Sequence, residues 1–181
     1  YEAAGAAGLH IEDQVWPKRC GFLEGKQVIP MEEMVPKVKA ACDARRSADF
    51  VIIARTDALA VNGWEDVIRR ARAYREAGAD LIFVDGIKIH DDIARYVQEL
   101  GDLPLLYNGQ LLSTQEIAKF GFKLTIYSAT LMAAYVRMRD AMQELKTTGS
   151  IAHGAEWQCF EELTSLLGVP EAMEIGKKYE Q

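Results

Sequence analysis

Phe50-Val-Ile-Ile-Ala-Arg-Thr-Asp57 is a continuous apolar run that stops in an arginine, a hydroxyl and a carboxylate. An unbroken apolar run, as opposed to an alternating one, marks a strand buried on both faces and therefore a parallel sheet covered by helices. The same design recurs on either side of it. Leu9-His10-Ile11 leads into Glu12-Asp13, Leu81 to Val84 leads into Asp85, and Leu103 to Tyr107 leads into Asn108. Lys123 to Tyr127 supplies a fifth run. Between the runs, apolar residues recur at helical spacing: Met31, Met34, Val35 and Val38, then Val67, Ala71 and Tyr74, then Ile93, Tyr96, Val97 and Leu100. Gly78 suits a helix C-terminus, and Ser113-Thr114-Gln115-Glu116 reads as a helix start. After the fifth run, Leu131, Tyr135, Met138, Met142 and Leu145 form one stripe, and two further helical pieces cover Glu156 to Leu167 and Pro170 to Tyr179. The Met and aromatic stripes read as core.

Five strand-helix units predict an α/β fold. Polar groups at the carboxyl ends of parallel strands are where ligands gather in such folds. A doubly wound sheet would share the alternation, but no strand is followed by a glycine-rich phosphate loop. A TIM (β/α)8 barrel needs eight units over about 250 residues, so the expectation is the last five units of one. The chain opens at Tyr1 without a methionine, and Glu2 to Gly8 reads as the end of a helix, which adds an expected N-terminal portion upstream. Residues 1–181 are thus expected to form one partial barrel domain, with 150–181 as a C-terminal helical extension.

The 181 residues are 49% hydrophobic and carry 21 Lys plus Arg against 27 Asp plus Glu, a net charge of -6. An acidic chain with no basic stripe is a poor partner for nucleic acid or an anionic membrane. No apolar run reaches the roughly 18 residues of a membrane span. Cys20, Cys42 and Cys159 are odd in number and far apart, which excludes a disulfide framework or zinc spacing and fits a reducing, cytoplasmic setting. Cys42 and Cys159 read as small buried hydrophobes.

The candidate chemistry lies at the strand ends. In Lys18-Arg19-Cys20-Gly21, two cations flank a thiol, which favours the thiolate, and Gly21 permits close approach of backbone to a ligand. Glu12 and Asp13 must point to opposite sides of their strand, so one of them can face a ligand and a hard cation. Arg55 and Asp57 share a face, where Arg55 would either fork onto a substrate carboxylate or pair internally with Asp57. Asp85 and Asn108 end the next two strands and suit an oxygen-rich substrate. His10, His90 and His153 lack metal-ligand spacing and are given no catalytic role.

Ala7-Gly-Leu-His-Ile-Glu-Asp-Gln14, Pro17-Lys-Arg-Cys-Gly21, Phe50 to Ala58 and Ala77-Gly-Ala-Asp80 occur in that order. Together they resemble the isocitrate lyase and phosphoenolpyruvate mutase superfamily, especially its methylisocitrate lyase-like branch, from Ala3 to about Ala141. The resemblance implies a TIM barrel whose last helix is swapped between subunits of a homodimer or homotetramer. It implies Mg²⁺, a small carboxylate substrate and an enolate-type intermediate in carbon–carbon cleavage. By position, Cys20 matches the lyases' proton-donating cysteine, Gly21 a substrate contact, and Glu12 the carboxylate holding a metal-bound water. Arg55 matches the substrate arginine, Asp85 an acidic contact that is usually Glu, and Asn108 an amide contact; Lys18 and Arg19 join the substrate-binding set. Phe22 stands where the lyases continue with His, and Ala133 falls near an arginine of the tricarboxylate-cleaving members. The family's paired magnesium-binding aspartates align upstream of Tyr1. The implied activity is a Mg²⁺-dependent lyase for a small 2-hydroxy di- or tricarboxylate. The alternatives are an oxaloacetate decarboxylase or hydrolase, a carboxyphosphonoenolpyruvate mutase-like enzyme, and a non-catalytic relative.

Overall fold

A computed structural model describes residues 1–21, 23–152 and 157–179, without the side chains of 157 and 158. Phe22 and His153 lie outside the described residues. The chain divides into two compact units, residues 1–128 and 129–181.

The first unit is a five-stranded parallel sheet whose spatial order is the chain order. Its strands are β1 (Gly8–Glu12), β2 (Val51–Thr56), β3 (Leu81–Val84), β4 (Leu105–Asn108) and β5 (Leu124–Ile126). A doubly wound sheet reverses direction at a switch point. This sheet never does, and it forms the curled arc of half a barrel. Four helical connections join the strands: α1 (Met31–Ala44), then α2 (Leu59–Asn62) with α3 (Trp64–Glu76), then α4 (His90–Leu100), then α5 (Thr114–Lys119). The single turn of α2 carries no periodic signal and was not anticipated from the sequence.

The two faces of the sheet differ. Outward-facing Ala54, Ile82, Val84, Leu105 and Tyr107 join Met34, Val38, Val67, Ala71, Tyr74, Ile93, Tyr96 and Leu100 from the helices in one buried core. Residues at i, i+4 and i+7 of α3 are fully buried, as an amphipathic stripe requires. Tyr96 spends its hydroxyl on the sheet itself, 3.1 Å from the carbonyls of Ile82 and Leu106. The inner face carries a smaller cluster of Ile53, Phe83 and Leu106 with Val51, Leu81 and Ile126 packed against it. Directly above that cluster, at the carboxyl ends of the strands, the inner face turns polar.

Local signals act as the sequence dictates. Ser113 accepts from the Glu116 amide, and the Glu116 carboxylate accepts from the Ser113 amide, a complete capping box. Gly78 ends α3 with φ +108°, in the left-handed region that glycine adopts without penalty.

The second unit holds α6 (Thr130–Thr148), α7 (Trp157–Leu166) and α8 (Val169–Lys177). The stripe on α6 was expected to be core and is not. Leu131, Tyr135, Met138 and Met142 are 57–79% exposed, because an apolar stripe is buried only where another element supplies a facing surface. Cys159 on α7 is likewise exposed, not buried as expected, whereas Cys42 on α1 is half-buried. No helix among the described residues is long and apolar enough to cross a membrane.

Candidate active site

Strand register places the site. Glu12 pairs with Arg55, and Arg55 with Phe83, so these side chains share the inner face. Two residues on from Arg55, Asp57 is on that face too, as is Asp85 two residues beyond Phe83. Asn108 follows the inner residue Leu106 at the same spacing. Asp13, one residue past Glu12, points the other way into the helix layer.

Arg55 is the hub. Its Nε donates to Asp57 Oδ2 at 2.9 Å and its Nη2 to Asp57 Oδ1 at 3.0 Å, a two-pronged pair. Nε also lies 3.3 Å from Glu12 Oε2, and Nη2 lies 3.3 Å from Asp85 Oδ2. The guanidinium plane rests over the Phe83 ring, 5.0 Å from its centre. Both readings of Arg55 therefore meet in one residue: it is paired internally with Asp57, and Nη1 has no protein acceptor among the described residues.

The carboxylates respond unequally. Burial pushes Asp57 up, but the hydrogen bond and charge of Arg55, with Lys26 behind them, outweigh it and hold this carboxyl low. Asp85 is raised, because its burial exceeds what Arg55 and Lys26 return. The two carboxyls are thus shifted in opposite directions. His10, on the same face below Glu12, meets Phe83 edge-on and is held neutral by burial and by Arg55.

A loop between β1 and α1 covers these strand ends. Its neck is closed where Val15 donates to Gln27 and Gln14 bridges Val28. Lys18 Nζ donates to Glu12 Oε2 at 3.0 Å. Arg19 folds over its own loop, donating to the Glu24 carbonyl at 3.1 Å. No hydrogen bond or ion pair joins either head group to the exposed Cys20 thiol among the described residues. Cys20 starts a turn in which its carbonyl accepts from Leu23 at 2.9 Å. Gly21 is pressed onto Asp85: a Cβ there would fall inside the carboxylate, so only glycine fits. The Asn108 side-chain oxygen is buried with no partner among the described residues, an acceptor facing the site with its capacity unused.

Two residues of the site escaped the sequence reading. Lys26 is buried between Asp57 and Asp85, and Gln14 binds both backbone groups of Arg19 at 2.9 Å. Lys26 sits in a polar loop that reads as solvated, and no local pattern distinguishes it. With Lys18, Lys26 and Arg55 against Glu12, Asp57 and Asp85, three cations face three carboxylates, and the cluster is charge-balanced.

The magnesium that the resemblance implies needs oxygen ligands that these carboxylates do not supply by themselves. Among the described residues, no group of three His, Cys, Asp or Glu is placed to hold a metal. Asp57 and Asp85 are already bound by cations, and Glu12 keeps only Oε1 without a protein contact, which fits a metal-bound water and not a primary ligand shell.

The chain is similar to several known proteins. The chain is 36% identical to 2,3-dimethylmalate lyase of Eubacterium barkeri over 186 residues, covering 99% of this chain and 64% of that protein. The structure of oxaloacetate acetylhydrolase with 3,3-difluorooxalacetate superposes with a TM-score of 0.82 at 35% identity, over 98% of this chain and 62% of that one. Phosphonopyruvate hydrolase solved with oxalate and Mg²⁺ gives 0.79 at 28% identity, over 99% and 65% respectively. This chain therefore spans just under two thirds of the length of these proteins. A family model described as phosphoenolpyruvate phosphomutase matches residues 1–146. By these matches the chain belongs to the phosphoenolpyruvate mutase family, within the PEP mutase/isocitrate lyase superfamily.

Proposed function

We propose that the protein is a Mg²⁺-dependent carbon–carbon lyase that cleaves a small 2-hydroxy dicarboxylate through an enolate-type intermediate. The observation that carries this reading is Arg55, held by Glu12, Asp57 and Asp85 at the strand ends with Nη1 unspent, under the loop that bears Cys20. A guanidinium fixed on three sides presents its remaining donor in one direction, the arrangement suited to a carboxylate. Lys18 and Arg19 extend the positive rim of the loop, Gly21 gives the ligand backbone access, and Asp85 and Asn108 receive its oxygens. In the cleavage step the substrate hydroxyl passes its proton to solvent water as the carbon–carbon bond breaks, and its carbon becomes the carbonyl of the oxo acid. The bonding electrons pass to the departing carboxylic acid as an enolate near Arg55, and the Cys20 thiol returns a proton to that carbon.

Magnesium enters through the family and through the Mg²⁺ in the phosphonopyruvate hydrolase structure. Glu12 would contact it through water, and its primary ligands are not among the described residues. The dicarboxylate preference is supported by the substrate named for 2,3-dimethylmalate lyase, and by the alanine at position 133, which aligns near an arginine of the tricarboxylate-cleaving members. We also infer a homodimer or homotetramer formed by helix swapping, supported by the exposed apolar stripe of α6. A cytoplasmic setting is supported by three cysteines that form no disulfide.

The test is a panel of 2-hydroxy and 2-oxo dicarboxylates with Mg²⁺, scoring pyruvate and other oxo acids. Release of an oxo acid from a 2-hydroxy dicarboxylate supports the lyase. Hydrolysis of oxaloacetate to oxalate and acetate, favoured by the likeness to oxaloacetate acetylhydrolase, would replace it with a hydrolase on the same residues.

A further inference from the structure

We propose that Lys26 is a positioning residue that seats the Cys20–Gly21 turn on the paired carboxylates of Asp57 and Asp85. This rests on the reading of Cys20 as the proton donor. The side chain of Lys26 is 3% exposed, an unusual place for an ammonium in a loop otherwise open to solvent. Its Nζ donates to the Gly21 carbonyl at 2.6 Å and lies 3.4 Å from Asp57 Oδ1 and 3.8 Å from Asp85 Oδ2. Two of its three donors are spent on the Gly21 carbonyl and Asp57, and the third faces Asp85 at ion-pair distance. An ammonium buried to this degree and turned onto protein acceptors is shielded from a substrate, so the residue acts through the turn.

The neck of the loop is already closed by backbone pairing of Gln14 and Val15 with Gln27 and Val28. Lys26 is therefore not needed to form the loop; it sets where the turn sits over the strands. The tight seat of Gly21, where an added Cβ would meet the Asp85 carboxylate, supports this, because the Lys26 ammonium lies between the Gly21 carbonyl and that carboxylate. Gln14 holds the preceding residue, Arg19, by both backbone groups. Cys20 is thus fixed from either side, by an amide before it and by an ammonium after it.

The experiment compares Lys26→Met, which keeps the length and removes the donors, with wild type by residue-resolved amide exchange. The Arg19 and Leu23 amides, bonded to Gln14 and to Cys20, should exchange about tenfold faster or more, while the amides of β2 and β3 keep their protection. On the substrate that the protein turns over, kcat should fall about tenfold or more with KM within about threefold, since Arg55 is untouched. Unchanged exchange at Arg19 and Leu23 in folded Lys26→Met would overturn the proposal. So would equal loss of protection throughout the sheet, which marks a general structural role. If Lys26→Met does not fold, Lys26→Gln keeps one donor for Gly21 without the charge and is scored by the same two criteria. Should wild type turn over none of the dicarboxylates, the lyase reading falls while amide exchange still decides the role of Lys26.

Discussion

Glu12 and Asp13 are neighbours at the end of one strand, and their carboxylates serve opposite purposes. Asp13 is fully buried, and donors surround it. The Asp57 amide donates to Oδ1 at 2.9 Å, while Arg70 at 3.1 Å and the Tyr74 hydroxyl at 2.8 Å donate to Oδ2. Arg70 is itself occupied by Asp66 at 2.7 Å and by the Ile29 carbonyl at 2.9 Å. Burial and the Asp13 charge push the Tyr74 hydroxyl far up, so it stays a donor at every physiological pH. The outer cluster is saturated. The inner one, around Glu12 and Arg55, is charge-balanced yet leaves Glu12 Oε1, Arg55 Nη1 and Asn108 Oδ1 unspent. A saturated buried network specifies a fold, and an unsaturated one at strand ends awaits a ligand. The two are joined, because Asp13 fixes the backbone of Asp57, and Asp57 fixes Arg55.

The most severe break lies in the outer cluster. Asp13→Ala leaves Arg70, Tyr74 and the Asp57 amide without their acceptor, and should cost about 3–5 kcal/mol in urea unfolding. Within the inner cluster, Cys20→Ala should lower turnover about 10²–10⁴-fold, the usual worth of a placed proton donor, with the unfolding midpoint unmoved. Wild-type turnover in that variant would remove Cys20 from the mechanism. Arg55→Lys exchanges a fork for a point charge and should cost about 2 kcal/mol, roughly thirtyfold in kcat/KM. An unaltered kcat/KM would make Arg55 as structural as Asp13.

A gentler probe is pH. Burial would raise Asp66, but hydrogen bonds from Arg69, Asn62 and Arg70 hold it down at about 2. A depressed carboxyl contributes stability above its unfolded pKa of about 3.9 and loses it as pH falls toward the folded value. Stability measured from pH 4 down to pH 2 should therefore decline less steeply in Asp66→Asn than in wild type. The smallest effect belongs to pairs outside both clusters: Lys39→Ala breaks an exposed contact with Asp43 and should alter stability by less than about 0.5 kcal/mol.

The sequence made one half of this contrast legible. Continuous apolar runs ending in polar residues located the strands, and their ends located Glu12, Arg55, Asp85 and Asn108. Alternation along a strand required Glu12 and Asp13 to part company, but which of them faced inward depended on pairing with β2. Arg69 and Arg70 look alike in sequence. Successive helical residues project about 100° apart, and that rotation leaves Arg69 in solvent and buries Arg70 against Asp13. Lys26 meets Asp57, 31 residues away, only because the loop folds back over the strand ends. The α6 stripe misled for the converse reason: periodicity reports that a face is apolar, not that anything covers it.

Strictly sequential strand order has a consequence for how the sheet comes apart. Each strand is bonded only to its neighbours in the chain, so the arc behaves as a row of dominoes and not as a knot of distant contacts. Of the five strands, β5 and β1 have no fully buried residue, while β2 and β3 are almost wholly enclosed. Opening that begins at β5 would therefore release Asn108 on β4 before it reaches Arg55, two strands further along the row.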